Sequence, residues 1–466
     1  MNESPASGAA PSHWLVERLS GYGDKPFLNM REGSHTYADL AGALTLQRDR
    51  LRREGIGPGE IVALLSDYSF QAIALFLALI ENRNILVPIS STVAAEVDER
   101  LATLPVDRIY RNAEPDALAE KPAPHAGGVH VLLQRLRTEG RAGLVLFSSG
   151  STGKPKAMVH DLDRLVDTYR ERKSRDLTLM VFLMFDHIGG LNTLLTALAA
   201  GARLVIPESR DPEAVCELIA RHRVAVLPAS PTFLNLILIS EAWKRHDLGS
   251  LRIISYGTEP MPESLLSRLR GVFSKVRFVQ TFGTSETGIS QTTSLSSSST
   301  LLKLDDPNIE HRIVDGELWL RSRIQILGYL NHTMDAFTPD GWFRTGDYVE
   351  TAENGFIRIR GRKEELINVG GQKVLPAEVE SVMLEMPEIE DCVVFGEASP
   401  ITGQIVCAKV VLRPGVNPLD IRAAVRLFCR ARIEPYKIPV KVTVSSQALF
   451  GARFKKLRRD VQPDRA

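Results

Sequence analysis

The sequence predicts an α/β protein: a large N-terminal part of parallel-type sheets flanked by helices with a small barrel-like subdomain, then a small, mobile α+β domain. Two observations carry this reading. From Thr36 onward, short aliphatic or β-branched runs alternate with helix-length amphipathic stretches, the pattern that builds largely parallel sheets. Beyond the Ser/Thr-rich stretch 292–300 the runs become short and alternating, with turn dipeptides between them, which points to antiparallel pairing.

The elements follow in order. Met1 to Ser12 is small and polar, lacks the basic start and apolar core of a signal peptide, and is expected to be disordered. Ile61 to Leu65 reads as a strand, Tyr68 to Glu81 as a buried helix and Ile85 to Ile89 as the next strand. Further strands are expected at Leu144 to Phe147, Leu177 to Leu183, Arg203 to Ile206, Val224 to Leu227, Arg252 to Ser255 and Val276 to Thr281. Helices Pro212 to Arg221, Pro231 to Ser240 and Pro262 to Arg270 fall between them, each with proline where a helix tolerates it. The run TTSLSSSST at 292–300 reads as a mobile surface loop. After it come strands near Glu310 to Val314, Glu317 to Arg321 and Phe356 to Arg360, separated by Asp315-Gly316, Asp340-Gly341 and Asn354-Gly355. The charged stretch Arg362 to Glu365 is the expected hinge into a β-α-β-β-α-β segment, so the expected domains are 13–361 and 362–466.

Composition excludes several classes. With 57 basic and 56 acidic residues among 466, the net charge of +1 provides no global field for nucleic acid or an anionic membrane. The four cysteines, Cys216, Cys392, Cys407 and Cys429, show no C-x-x-C spacing, which argues against a disulfide framework or zinc site and suits a cytoplasmic protein. The apolar run Ala72 to Ile80 is far short of the roughly 18 residues that would suggest a membrane span. Oligomeric state leaves no trace in the sequence.

Chemistry is densest at Leu144 to Lys156, an apolar run that breaks into Ser148, Ser149, Gly150, Ser151, Thr152, Gly153, Lys154, Pro155 and Lys156. Glycines bring backbone N–H groups close to an anion, while hydroxyls and ammonium groups add donors, so the stretch reads as a strand delivering a phosphate-holding loop. It is not the common P-loop, since the G-x-x-x-x-G-K-[ST] spacing is absent and proline follows the first lysine.

That loop is followed, in order, by Phe278-Val279-Gln280-Thr281-Phe282-Gly283-Thr284-Ser285-Glu286-Thr287, by Gly341-Trp342-Phe343-Arg344-Thr345-Gly346-Asp347, and by Gly361-Arg362 through Gly370-Gly371 and Pro376-Ala377-Glu378-Val379-Glu380. The ordered set resembles the adenylate-forming (AMP-binding) superfamily of acyl- and aryl-CoA synthetases, nonribosomal-peptide adenylation domains and luciferases. The resemblance runs from about Thr36-Tyr37 to about Arg459. It implies an enzyme that activates a carboxylate with ATP, releases pyrophosphate and passes the acyl group onward. Attack of one anion on another needs dense charge neutralisation, which these residue types supply.

The resemblance also implies roles. Ser148 through Lys156 would wrap the β- and γ-phosphates. Glu286, a hard carboxylate, would hold Mg²⁺. Ser285, where the family usually has threonine, would meet the α-phosphate, and Phe282, beside Gly283 and in place of the usual tyrosine, would stack near adenine. Gly257, Thr258 and Glu259 resemble the segment bordering adenine, although a β-turn explains Tyr256-Gly257-Thr258-Glu259-Pro260 equally well. Asp347 is assigned to the ribose hydroxyls and Arg362 to ribose and phosphate. Glu364 stands at the hinge position, where the family has aspartate or lysine.

Near the end, Arg453-Phe454-Lys455-Lys456-Leu457-Arg458-Arg459 carries five basic residues in seven. Read alone it is a nucleic-acid patch or a solvated basic tail. In the family a lysine here, after glycine and three residues before arginine, reaches the carboxylate and α-phosphate. Counting back from Arg458 selects Lys455, but Phe454 replaces the glycine and leaves Lys456 open. His187 matches a histidine bordering the acyl site, with a satisfied core histidine as the plainer reading. Asp186 would pair with His187 or with a polar group on the substrate, and Phe233 and Tyr256 are the remaining pocket candidates.

Three functions therefore stand. The first is an ATP- and Mg²⁺-dependent ligase joining a small-molecule carboxylic acid to coenzyme A. The second keeps the adenylate and changes the acceptor to the phosphopantetheine arm of a separate acyl carrier protein, or to an amine. The third, supported only by the altered residues Phe282, Glu364 and Phe454, is a catalytically silent adenylate-binding protein.

Overall fold

The computed structural model describes residues 13–30, 33–123, 127–149, 154–451 and 453–458, so the expected disorder of Met1 to Ser12 lies outside it. The chain forms two compact units, Met1–Glu208 with Ile324–Met334, and Ser209–Arg323 with Asp335–Ala466.

In the first unit, Arg108–Tyr110, Ile61–Leu64, Ile85–Pro88 and Gly143–Ser149 lie side by side in parallel. Gly143–Ser149 then turns back as an antiparallel hairpin onto Pro155–Asp161, which pairs antiparallel with Gly328–Tyr329. The sheet is therefore mixed rather than purely parallel. Ile61, Ile85, Val87 and Val145 are fully buried in its core, as continuous apolar strands covered on both faces should be. The buried helix begins at Phe70 rather than Tyr68, because the Ser69 hydroxyl caps it by accepting from Ala72 N at 3.0 Å.

The second unit contains the parallel strands Val226–Ala229, Ile253–Tyr256 and Arg277–Gln280. After them comes a six-stranded antiparallel sheet, curled like half a barrel, in the order Thr292–Ser294, Leu301–Leu304, Ile357–Arg362, Phe343–Thr351, Glu317–Ser322 and Ile309–Val314. One expectation fails here. The TTSLSSSST run is not a free loop, because its first residues form the strand Thr292–Ser294, paired with Leu301–Leu304. Its hydroxyls serve as partners for the neighbouring backbone: Ser294 Oγ accepts from Gln280 N at 2.8 Å and Ser297 Oγ from Phe278 N at 3.2 Å.

The last segment contains the hairpin Ile367–Val369 and Gln372–Val374, helix Pro376–Met383, strands Ile389–Ser399 and Gly403–Leu412, helix Ile421–Arg430 and strand Lys441–Val444. The anticipated β-α-β-β-α-β order is thus extended by one short strand. Its core holds Cys392 and Cys429 among Val379, Met383, Val394 and Val425. All four cysteines are free and buried. Burial pushes Cys216 up to about 12 and Cys407 and Cys429 to about 11, and raises Cys392 further. No helix among the described residues is long and apolar enough to cross a membrane.

Candidate active site

Five of the expected residues meet within the second unit. Asp347 and Arg362 stand opposite each other on adjacent antiparallel strands, and Arg362 Nε reaches Asp347 Oδ1 at 2.9 Å. Asp347 is only 4% exposed, and its Oδ2 is buried without a hydrogen-bond partner. Burial pushes its carboxyl up to about 6 against the opposing pull of the Arg362 guanidinium. A buried acceptor of this kind is costly unless a donor arrives, and a pair of ribose hydroxyls would provide one.

Arg362 feels the negative charges of Asp347, Glu286, Glu364 and Glu365. Glu286 and Ser285 sit half-buried at the turn between Phe282–Thr284 and Gly288–Ser290. Thr284 Oγ1 ties this turn by accepting from Thr287 N at 3.1 Å. Only glycine fits at position 283, since a Cβ there would lie 2.5 Å from the Gly288 carbonyl oxygen. Among the described residues no three metal-binding side chains gather. Glu286 alone still fits Mg²⁺, which commonly takes one protein carboxylate and completes its shell with phosphates and water.

Lys455 is the fifth member. The surrounding protein, and next the Arg362 guanidinium, push its ammonium down to about 8, with Glu259 and Asp347 opposing. Lys455 still reaches solvent, and the Arg362 guanidinium acts on it beside the larger effect of the surrounding protein. Lys456 points the other way. Its Nζ donates to Cys392 O at 2.5 Å and lies 3.3 Å from Asp391 Oδ1 and 3.8 Å from Glu380 Oε2. The two lysines thus diverge in space: Lys455 feels Arg362, Asp347 and Glu259, and Lys456 is engaged with Cys392 O, Asp391 and Glu380.

Glu259 is half-buried and bridges this region, accepting from Thr232 N at 2.7 Å and Lys456 N at 3.5 Å. Burial raises its carboxyl, and the Thr232 hydrogen bonds and Lys456 oppose the rise. Gly257 packs so tightly on Thr281 that a Cβ would lie 2.6 Å from its hydroxyl, and Thr258 adopts a left-handed φ of 73°. Tyr256 and Phe233 are almost wholly buried. Glu364 is exposed, in the short turn Lys363–Glu365 that follows Arg362.

The remaining expected residues belong to the first unit. Ser148 and Ser149 end one hairpin strand, and Lys156 pairs in register with Ser148 on the other. Gly150, Ser151, Thr152 and Gly153 lie outside the described residues. Lys154 is exposed, and the Lys156 ammonium lies 6.0 Å from the Tyr329 ring centroid. The loop therefore joins two strands, unlike a P-loop, which leads into a helix. His187 Nδ1 accepts from Gly189 N at 3.0 Å and so caps helix Ile188–Ala200. Asp186 is 4% exposed, and its Oδ2 accepts from Ser90 N at 3.4 Å.

The model of the AMP-binding enzyme family matches residues 15–330, and that of the AMP-binding enzyme C-terminal domain matches residues 378–449. The chain belongs to the AMP-binding enzyme family. Members of this superfamily adenylate carboxylic acids with ATP, and this chain has that general chemistry. An indoleacetate–CoA ligase of Aromatoleum aromaticum is 28% identical over 92% of this chain and 93% of its own length. Among solved structures, an anthranilate CoA ligase in complex with anthranoyl-AMP superposes with a TM-score of 0.79 at 20% identity, covering 98% of both chains. An amide bond synthetase of Marinactinospora thermotolerans gives 0.73 at 25% identity, covering 94% of this chain and 96% of its own.

Two members of this AMP-binding enzyme's charged network escaped sequence reasoning. Glu380 and Asp391, which engage Lys456, carried no assigned role. The only available signal was Glu380's place in the Pro376-Ala377-Glu378-Val379-Glu380 motif.

Proposed function

We propose that the protein is an acid–thiol ligase that forms an acyl-adenylate and transfers the acyl group to the thiol of coenzyme A. The observation that carries this reading is the cluster of Lys455, Arg362 and Asp347 with the unpartnered Asp347 Oδ2 at its buried edge. In the first step a carboxylate oxygen attacks the α-phosphorus of ATP and the bond to pyrophosphate breaks. Lys455 and Arg362 lie across the region where the two negative charges must approach, and their positive charges lower that barrier. Asp347 accepts the ribose hydroxyls and fixes the nucleotide. Phe282, Gly257, Thr258 and Glu259 border the base, Ser285 meets the α-phosphate, and Ser148 through Lys156 hold the leaving pyrophosphate. Glu286 would hold Mg²⁺, which when bound neutralises phosphate charge.

In the second step a thiolate attacks the acyl carbon, and AMP leaves with its oxygen. Residues 362–466 act as a mobile lid on the adenylation domain 13–361, turning about Glu364 and exchanging Lys455 for the face near Gly370-Gly371. His187, Asp186, Phe233 and Tyr256 are assigned to the acid side, and the working compartment is cytoplasmic. The 28% identity with a CoA ligase over nearly the full length favours coenzyme A as acceptor. The amide bond synthetase fold at 25% identity keeps an amine as a second acceptor.

Pyrophosphate exchange into ATP across a panel of aryl, arylacetic and straight-chain acids tests the first step. Mass spectrometry of the product formed with coenzyme A, a loaded-arm carrier protein or an amine tests the second. Exchange with no acid would refute adenylation, and exchange without a CoA thioester would refute the acceptor.

A further inference from the structure

Lys455 stands in a short hairpin whose two flanks are held by quite different means. Gly451 N donates to Lys455 O at 3.0 Å, Leu457 N donates to Leu449 O at 3.0 Å, and Phe450 and Lys456 face each other as an isolated antiparallel bridge. In an extended segment successive side chains point to opposite faces. Lys455 and Leu457 are accordingly exposed, while Lys456 and Arg458 turn inward.

On the inward side lies a buried charge network. Arg458 donates to both Glu380 oxygens, at 3.1 and 2.7 Å, and its Nη1 reaches Glu365 Oε1 at 3.1 Å. Lys456 approaches the same Glu380 and Asp391. Glu380 also accepts from Val394 N at 2.9 Å, which fixes it to the core strand Ile389–Ser399. Burial alone would raise the Glu380 carboxyl, but Arg458 and Lys456 together hold it below its usual range. Lys456 stays charged although burial opposes it, because Asp391 and Glu380 outweigh that effect.

On the other flank stands Phe454, with a left-handed φ of 51°. Phe454 N donates to Gly451 O at 2.9 Å, so the turn closes on a residue in the conformation that glycine adopts most cheaply. A bulky aromatic residue there is strained and persists only where its surroundings hold it. Its ring packs edge-on against Phe233 at 5.3 Å and stacks on Phe450 at 5.6 Å.

We propose that Phe454 on one side and the Glu380-anchored pair Lys456 and Arg458 on the other form a lock that positions Lys455 for adenylation. Glu380 and Phe454 are positioning residues, acting on the reaction only through the lysine between them. The lock matters to adenylation alone, since the thiol step does not use Lys455. The inference thus rests on the two-step reading above.

The test compares Phe454→Gly and Glu380→Gln in the full chain. Phe454→Gly suits the backbone but removes the ring, so a purely structural role predicts a fold at least as stable and an unchanged reaction. The lock predicts pyrophosphate exchange reduced at least tenfold in both variants. Acyl transfer to coenzyme A from supplied acyl-adenylate should stay within twofold of the parent, and Arg458→Lys should fall between parent and Glu380→Gln in exchange. Exchange within twofold of the parent in either variant, or equal losses in both half-reactions, overturns the lock. Should Glu380→Gln fail to fold, Phe454→Gly alone decides by the same criteria. A parent protein inactive with every acid would instead refute the adenylation reading, a result distinct from an active parent with unaffected variants.

Discussion

Replacing each of the two adjacent lysines by alanine should produce opposite damage. Lys455 faces Arg362, Asp347 and Glu259 and still reaches solvent, so its removal leaves no buried partner stranded. A positioned charge donor at the reacting centre contributes about 3 kcal/mol, and at about 1.4 kcal/mol per decade its loss slows adenylation by roughly 100- to 200-fold. Lys456 lies between Asp391 and Glu380, with 9% of its side chain exposed. Removing one partner of a buried ion pair costs about 3 to 5 kcal/mol of stability. Arg458 remains on Glu380, so the lower end of that range is expected here. Pyrophosphate exchange and urea denaturation of the full chain read the two effects. Lys455→Ala should lose exchange with an unmoved denaturation midpoint, whereas Lys456→Ala should unfold at clearly lower urea. Exchange within threefold of the parent for Lys455→Ala, with a large loss for Lys456→Ala at unchanged stability, would show that the lysine roles are reversed.

Three further outcomes follow from the site. Because Lys455 is pushed down to about 8, its cation is present below that pH and lost above it, so kcat/KM for exchange should decline through about pH 8. The Lys455→Ala variant should lack that limb. Asp347→Asn keeps the shape but gives up the charged acceptor facing Arg362, and should raise the KM for ATP about tenfold to a hundredfold while leaving the KM for the acid nearly unchanged. Lys156→Ala, at a residue paired in register with Ser148, should weaken ATP use without altering the ranking of acids in the panel, and a changed ranking would contradict the pyrophosphate-holding role proposed for Ser148 through Lys156.

Much of the fold was legible because local pattern and tertiary role agreed. Helix Pro231–Ser240 has the expected bounds, and most predicted strands are displaced by one or two residues. The expected strand Leu177 to Leu183 shrinks to Thr178–Met180, although Val181 and Phe182 remain buried, since apolar residues also line a core without extending a ladder. The strand within the serine-rich run is not legible in sequence, because composition does not reveal that its hydroxyls will satisfy the neighbouring backbone. Asp347 and Arg362 were legible as motif residues, yet their opposition across two strands depends on a register no motif states. Lys455 and Lys456 are chemically identical in sequence. What separates them is Glu380 and Asp391, more than 60 residues away along the chain. His187 carries a capping bond that sequence reasoning weighed only as a generic core role.

The buried cysteines bear on what the protein can do to itself. An acyl-adenylate is a mixed anhydride, and any nearby thiolate would capture its acyl group as a dead-end ester on the protein. Here Cys216, Cys392, Cys407 and Cys429 are all enclosed, and burial raises each thiol above its ordinary value, which disfavours the thiolate. The polypeptide thus supplies no competing sulfur of its own, and an activated acyl group that meets a thiolate must meet one brought in from outside.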